Sequence, residues 1–219
     1  MSAIAVDQHL CDLVREAATW RLLSRMFECP DQRWQAEIDT LARELGDDDL
    51  QAAVTAAAGV ATEGQYHSTF GVGGPAPPRE ASYHETLELG SLMSELAVYY
   101  EVFSYTPQLC EALDHVAVEA GFVAYLKFKE AYAHARGEKE HAEAAESAAR
   151  RFIADHLAMM ATPLADILAT SHLDYLARAS RALSSRVGPR PATRCLPMLQ
   201  TIAQDEEGGE FECAGSGTP

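Results

Sequence analysis

Positive charge is scarce in this sequence: 17 Lys and Arg stand against 33 Asp and Glu, a formal net charge of −16. Such a surface repels phosphate backbones and anionic headgroups, so the sequence predicts no nucleic-acid binding and no membrane-surface binding, and it favours a cationic partner. Cysteine is equally sparse. Cys11, Cys29, Cys110, Cys195 and Cys213 are an odd, scattered set with no C-x-x-C pair, which reads as reduced cytoplasmic thiols rather than a disulfide framework or a metal site. Long apolar runs are also missing. The longest candidate, Ala52 to Ala61, is mostly alanine interrupted by Thr55 and Gly59, well short of the roughly 18 residues a membrane span requires. The opening segment carries Asp7, Asp12 and Glu16 against Arg15 and lacks the basic, apolar and small-residue order of a secretory signal. A cytoplasmic chain with no direct membrane insertion is the expectation.

What the sequence does have is enough apolar material for a core, 47% of 219 residues, and apolar residues at three-and-four spacing from residue 7 to about residue 187. Strand-type alternation is nearly absent. The pattern predicts an all-α fold: a first helix over Asp7 to Glu28, and a second opened by Pro30 that carries Trp34, Ile38, Leu41 and Leu45 to a stop at Gly46. Asp47 is a candidate N-cap for an Ala-rich third helix. Ser82 and Glu85 have capping-box spacing ahead of a helix whose Leu89, Leu92, Met93, Leu96, Tyr100 and Phe103 share a face. A long helix follows from Asp114 to Arg136, then helices over Glu138 to Met160, Pro163 to Ala169 and His172 to Arg186, with Thr162 and Ser171 as caps. Residues 1–187 are thus expected to form one helical domain. Residues 188–219, rich in Pro and Gly and then acidic, read as a flexible C-terminal tail dispensable for folding.

Catalytic and metal signatures are weak. No G-x-S-x-G elbow and no phosphate-cradling loop is present. A di-iron bundle needs two Glu-x-x-His motifs, and the sequence offers one, Glu138 to His141. No cofactor, metal site or catalytic residue is therefore expected. The notable feature is electrostatic. From Glu80 to Glu119 run Glu80, Glu85, Glu88, Glu95, Glu101, Glu111, Asp114 and Glu119 without a Lys or Arg. These acids read either as solvated helix faces or as a field that attracts a cationic ligand beside the flexible Gly71–Pro78 loop. Asp114 can cap the next helix, and His115 and Glu119 lie one turn apart on it.

Several segments together resemble a known family: Tyr66-His-Ser-Thr-Phe70-Gly71, the Pro77-Pro78 loop leading to Ala81-Ser82-Tyr83, Glu111-x-x-Asp114-His115 with Glu119 and Phe122, and Phe152-Ile-Ala-Asp-His156-Leu157. In order and spacing the chain is similar, over roughly residues 10 to 185, to the TorD/DmsD/NarJ group of molybdoenzyme assembly chaperones. The resemblance implies an all-helical TorD-like chaperone that binds the N-terminal region of a molybdopterin oxidoreductase catalytic subunit, often a twin-arginine leader. Cofactor insertion into that subunit would then precede its export or assembly. Carried over by position, the peptide-binding residues are Tyr66, Phe70, Pro78, Ser82 and Tyr83, with Glu111, Asp114, His115 and Glu119 in a hinge motif. Where the family often has Glu-Pro, this hinge has Glu111-Ala112. Leu89, Met93, Tyr99, Tyr100 and Phe103 are candidates for an apolar groove that takes the apolar part of a leader. Two other readings stay open: a GTP-dependent or hydrolytic factor using Asp114 and His115, and a plain helical scaffold. Monomer and homodimer are equally compatible with the sequence.

Overall fold

A computed structural model describes residues 8–84 and 89–189, and it is all-α, with no strand among the described residues. Helix α1 (Gln8–Met26) buries Leu13, Ala17, Trp20, Leu22, Leu23 and Met26 and packs along α6 (Val116–Arg136). Its C-terminal end is tied to α2 (Trp34–Leu45) through buried Arg25, which bonds Glu28, Asp31 and Glu37, while Trp34 Nε1 donates to the Arg25 carbonyl at 2.6 Å. Helix α2 begins at Trp34, not at Pro30. The Asp31 carboxylate accepts from Arg33 N at 2.7 Å and builds a turn that delays the helix.

Helix α2 ends at Gly46, whose φ of 63° is the left-handed cap glycine adopts without Cβ strain. Asp47 then accepts from Leu50 N and starts α3 (Asp48–Ala57). Thr62 caps α4 (Glu63–Phe70) in the same way through Gln65 N. Helix α5 is described over Leu89–Val102 and buries Leu92, Leu96 and Tyr100. Ser82 lies on a short 3₁₀ turn, Glu80–Tyr83. Its expected capping partner Glu85 falls outside the described residues.

The C-terminal half departs from the sequence reading. Helix α7 (Lys139–Phe152) and α8 (Ala158–Ala169) form one continuous 31-residue helix, with a π-turn at Ile153–Leu157 between them. Thr162 is not a cap: its hydroxyl pairs with Ser184 at 3.1 Å, and Pro163 sits inside the helix. Removal of one N–H from a helix whose two faces are packed does not suffice to end it. By length and composition this helix could cross a membrane, with an 18-residue window of mean hydropathy 1.3, yet 44% of that window is packed inside the protein. Helix α9 (Asp174–Val187) packs on α3 and α8 and stops at Gly188. The expected tail, from residue 190 onward, lies outside the described residues.

Phe122 of α6 is at the centre of an aromatic cluster. Its ring is 4.7 Å from Phe152, 4.8 Å from Tyr100, 5.2 Å from Tyr105, 6.2 Å from Phe103 and 6.3 Å from Tyr99. Tyr99, Met93 and Phe103 are thus part of the core wall, and Leu89 is the exposed member of the expected apolar set.

Candidate functional site

The loop after α4 folds back on that helix. Ala76 N donates to Thr69 O at 3.2 Å, and the path is so tight that a Cβ on Gly74 would sit 2.4 Å from the same carbonyl. Only glycine permits that approach. Tyr83 closes the next stretch by donating its hydroxyl to Pro77 O at 2.6 Å.

Residues 78–80 then pair antiparallel with residues 114–116. Val116 N donates to Pro78 O and Glu80 N to Asp114 O, both at 2.8 Å, with a β-bridge between Arg79 and His115. The two segments assigned by position to recognition and hinge are therefore one structural unit. Asp114 is fully buried, and its oxygens accept from Arg79 Nε at 2.8 Å and Ala81 N at 3.3 Å. It does not cap α6. His115 does so, its Nδ1 accepting from Ala117 N at 3.1 Å.

That cap fixes the imidazole tautomer. With Nδ1 as acceptor, the proton is on Nε2, which donates to the Tyr66 hydroxyl at 3.2 Å, and Tyr66 donates onward to Glu111 Oε1 at 3.1 Å. One chain of hydrogen bonds links α4, the hinge and the start of α6. Burial pushes the His115 imidazole down to about 4, partly offset by the Glu111 and Asp114 carboxylates. An unfolded chain takes up this proton near the ordinary 6.5. Stability present above pH 6.5 is therefore lost as the pH falls toward 4, by about 1.4 kcal/mol per unit crossed. In His115→Asn the side-chain oxygen can still cap α6. Thermal unfolding of that variant between pH 7 and 4 should lack the parent's imidazole-linked acid slope.

Behind this unit lies a second polar cluster. Glu80 is fully buried, and its Oε1 faces His84 Nε2 at 2.8 Å while Oε2 faces His156 Nδ1 at 3.1 Å. His156 is presented by the π-turn, whose wider winding places the ring against Phe152 and Tyr99. Glu119 is fully buried as well, and no donor reaches either of its oxygens.

Of the positionally assigned residues, Ser82 and Glu111 are exposed and Pro78 and Tyr83 are half-buried. Tyr66, Phe70, Asp114, His115 and Glu119 are buried. Sequence reasoning missed Arg79, Glu80, His84 and His156 as site members. Arg79 directly precedes the acidic stretch and neutralises Asp114, and Glu80, Asp114 and Glu119 are interior groups rather than a solvated face. The signal for His156 was its place in the Phe152–Leu157 segment.

On the far side of α6 an apolar groove of about 430 Å³ opens between α1 and α6. Ala17 and Ala18 of α1 and Gly121 and Ala124 of α6 keep it open, Val14 and Phe128 stand exposed on its walls, and Tyr105 to Leu109 form one end. A Cβ on Gly121 would lie 2.8 Å from the Tyr105 hydroxyl and 3.1 Å from Ser24 Oγ. That loop runs on directly into Glu111. Neither the groove nor its small-residue floor was anticipated, since the expected groove residues were those of α5.

Among the described residues no group of three or more His, Cys, Asp or Glu could hold a metal ion. The Glu138–His141 pair sits on the exposed surface, joined at 3.2 Å. Comparison with known proteins places these observations. The family model described as nitrate reductase delta subunit matches residues 28–166, a stretch that holds every site residue from Tyr66 to His156. No curated protein and no solved structure matches the chain. The match covers well over half of the sequence, from just after α1 into α8, and includes the paired hinge. The chain belongs to the nitrate reductase delta subunit family of molybdoenzyme maturation chaperones.

Proposed function

We propose that the chain is a cytoplasmic chaperone that takes up the N-terminal region of a molybdopterin oxidoreductase catalytic subunit and holds it until cofactor insertion is complete. The observation that carries this reading is the α1–α6 groove. It is apolar, about 430 Å³, floored by small residues, and bounded at one end by the Tyr105–Leu109 loop, which leads along the chain to Glu111. An amphipathic segment laid in such a groove buries its apolar face, and Glu111 and the neighbouring Ser82 and Tyr83 stand ready for its polar end.

Within this reading the assigned residues divide by burial. Glu111, Ser82, Pro78 and Tyr83 meet the client. Tyr66, Phe70, Asp114, His115 and Glu119 set the position of that surface from behind. A twin-arginine leader suits the exposed acids, because a guanidinium can pair with Glu111 in bidentate fashion. The hydrolytic alternative has less support: Asp114 and His115 are buried and committed to Arg79, Ala81, Ala117 and Tyr66.

Calorimetric titration with a synthetic peptide of the client's first residues tests the groove. Filling it with Ala18→Phe should weaken binding tenfold or more, equivalent to about 1.4 kcal/mol, while Val102→Ala on the exposed face of α5 should leave it unchanged. Equal affinities for the parent and the Ala18→Phe protein would remove the groove from the account.

A further inference from the structure

We propose that one buried proton, held by Glu119 and shared with Glu80, latches residues 79–84 onto the hinge and the π-turn, and that its loss as the pH is raised releases this segment. The inference rests on the geometry of the cluster and not on the identity of the client.

Two fully buried carboxyl groups face each other here with too few donors for two negative charges. Glu80 is served by His84 and His156, at 2.8 and 3.1 Å. Glu119 lies against Glu80, and neither of its oxygens has a hydrogen-bond partner. As two carboxylates the pair would be two acceptors with nothing to share. With one proton added, Glu119 donates to Glu80, which then accepts three hydrogen bonds, two from imidazoles and one from a carboxylic acid. A buried, unpaired carboxylate is costly enough that the group takes up a proton instead.

The surrounding groups leave no other solution. From the 79–84 segment Arg79 points to Asp114, at 2.8 Å. On the hinge, Asp114 adds negative charge and His115 is turned to Tyr66. Tyr100 of α5 spends its hydroxyl on Leu113 O at 2.9 Å. Glu95 of α5 lies 3.9 Å from the otherwise partnerless Nε2 of His156. None of these supplies a donor to Glu119. In agreement, burial first and the Glu80 and Asp114 charges next raise the Glu119 carboxyl well above its ordinary 4.5.

A raised carboxyl favours the closed form below its ordinary value and loses that stabilisation as the pH climbs through its value in the fold. Once ionised, Glu119 and Glu80 repel across a dry contact. Glu80 is the member that can leave, because it sits on a four-residue 3₁₀ turn, whereas Glu119 is set in the 21-residue α6.

The experiment uses the full chain and Glu119→Gln, whose amide N–H donates to Glu80 at any pH. Infrared spectra of the parent at neutral pH should contain the carbonyl band of a protonated carboxylic acid, absent from Glu119→Gln and bleached as the pH is raised. Tryptic cleavage after Arg79, taken as the ratio of parent to variant, should rise about tenfold per pH unit between the ordinary carboxyl value and the pH at which the band disappears, then level off. A neutral-pH spectrum with no such band, or a ratio that stays flat across this range, overturns the latch. Should the variant fail to fold, the parent still decides: band loss and the levelling of cleavage must coincide in pH, and two separate transitions contradict the proposal.

Discussion

Arg79→Ala should destabilise the fold by about 3 kcal/mol in urea unfolding. Its guanidinium is the counter-charge of Asp114, a carboxylate with no exposure, and removal leaves that carboxylate a single weak donor, Ala81 N at 3.3 Å. Breaking a buried ion pair from one side typically costs about 3–5 kcal/mol. The low end applies because the Arg79 side chain is 41% exposed, so water can enter where it stood. Arg178→Ala provides the contrast, since its pair with Asp174 lies on the surface, where water and salt screen it and little stability is lost. If the two variants lose similar stability, Arg79 does not clamp the loop to the hinge.

Phe122→Ala should cost about 3–5 kcal/mol, as expected for a large aromatic cut from a packed interior. The ring touches five other aromatics drawn from α5, its following loop and α7, so little can collapse into the space it leaves. Phe128, equally large and on the same helix, is 57% exposed at the groove. Phe128→Ala should leave the melting temperature nearly unchanged and reduce peptide affinity instead. The pair separates the two faces of α6: one holds the fold, and the other is the face proposed to meet the client.

These faces explain which parts of the molecule could be read in advance. Helix boundaries marked by local chemistry were legible, because Gly46 and the Asp47 cap act through their own backbone and nearest neighbours. The π-turn was not, since apolar periodicity continues through it and the one visible signal, Thr162-Pro163, lies five residues beyond its end. The acidic stretch was legible as composition and misleading as surface. A count begun at Glu80 excludes Arg79, and sequence spacing alone cannot tell that Glu80, Asp114 and Glu119 converge from three segments on one dry volume. The groove escaped for a related reason. Its floor consists of alanines and a glycine on α1 and α6, and small residues on a helix give the same periodic signal whether they are packed tight or left open.

Hydrogen exchange of the parent protein with and without the client's N-terminal peptide tests the central claim most directly. Binding in the groove should slow amide exchange in the second half of α1 near Val14 to Ser24, in the Tyr105–Leu109 loop, and in α6 from Gly121 to Phe128, with a smaller change at the Glu111–His115 hinge. Protection confined to α3 and α9, or no change at saturating peptide, would contradict it.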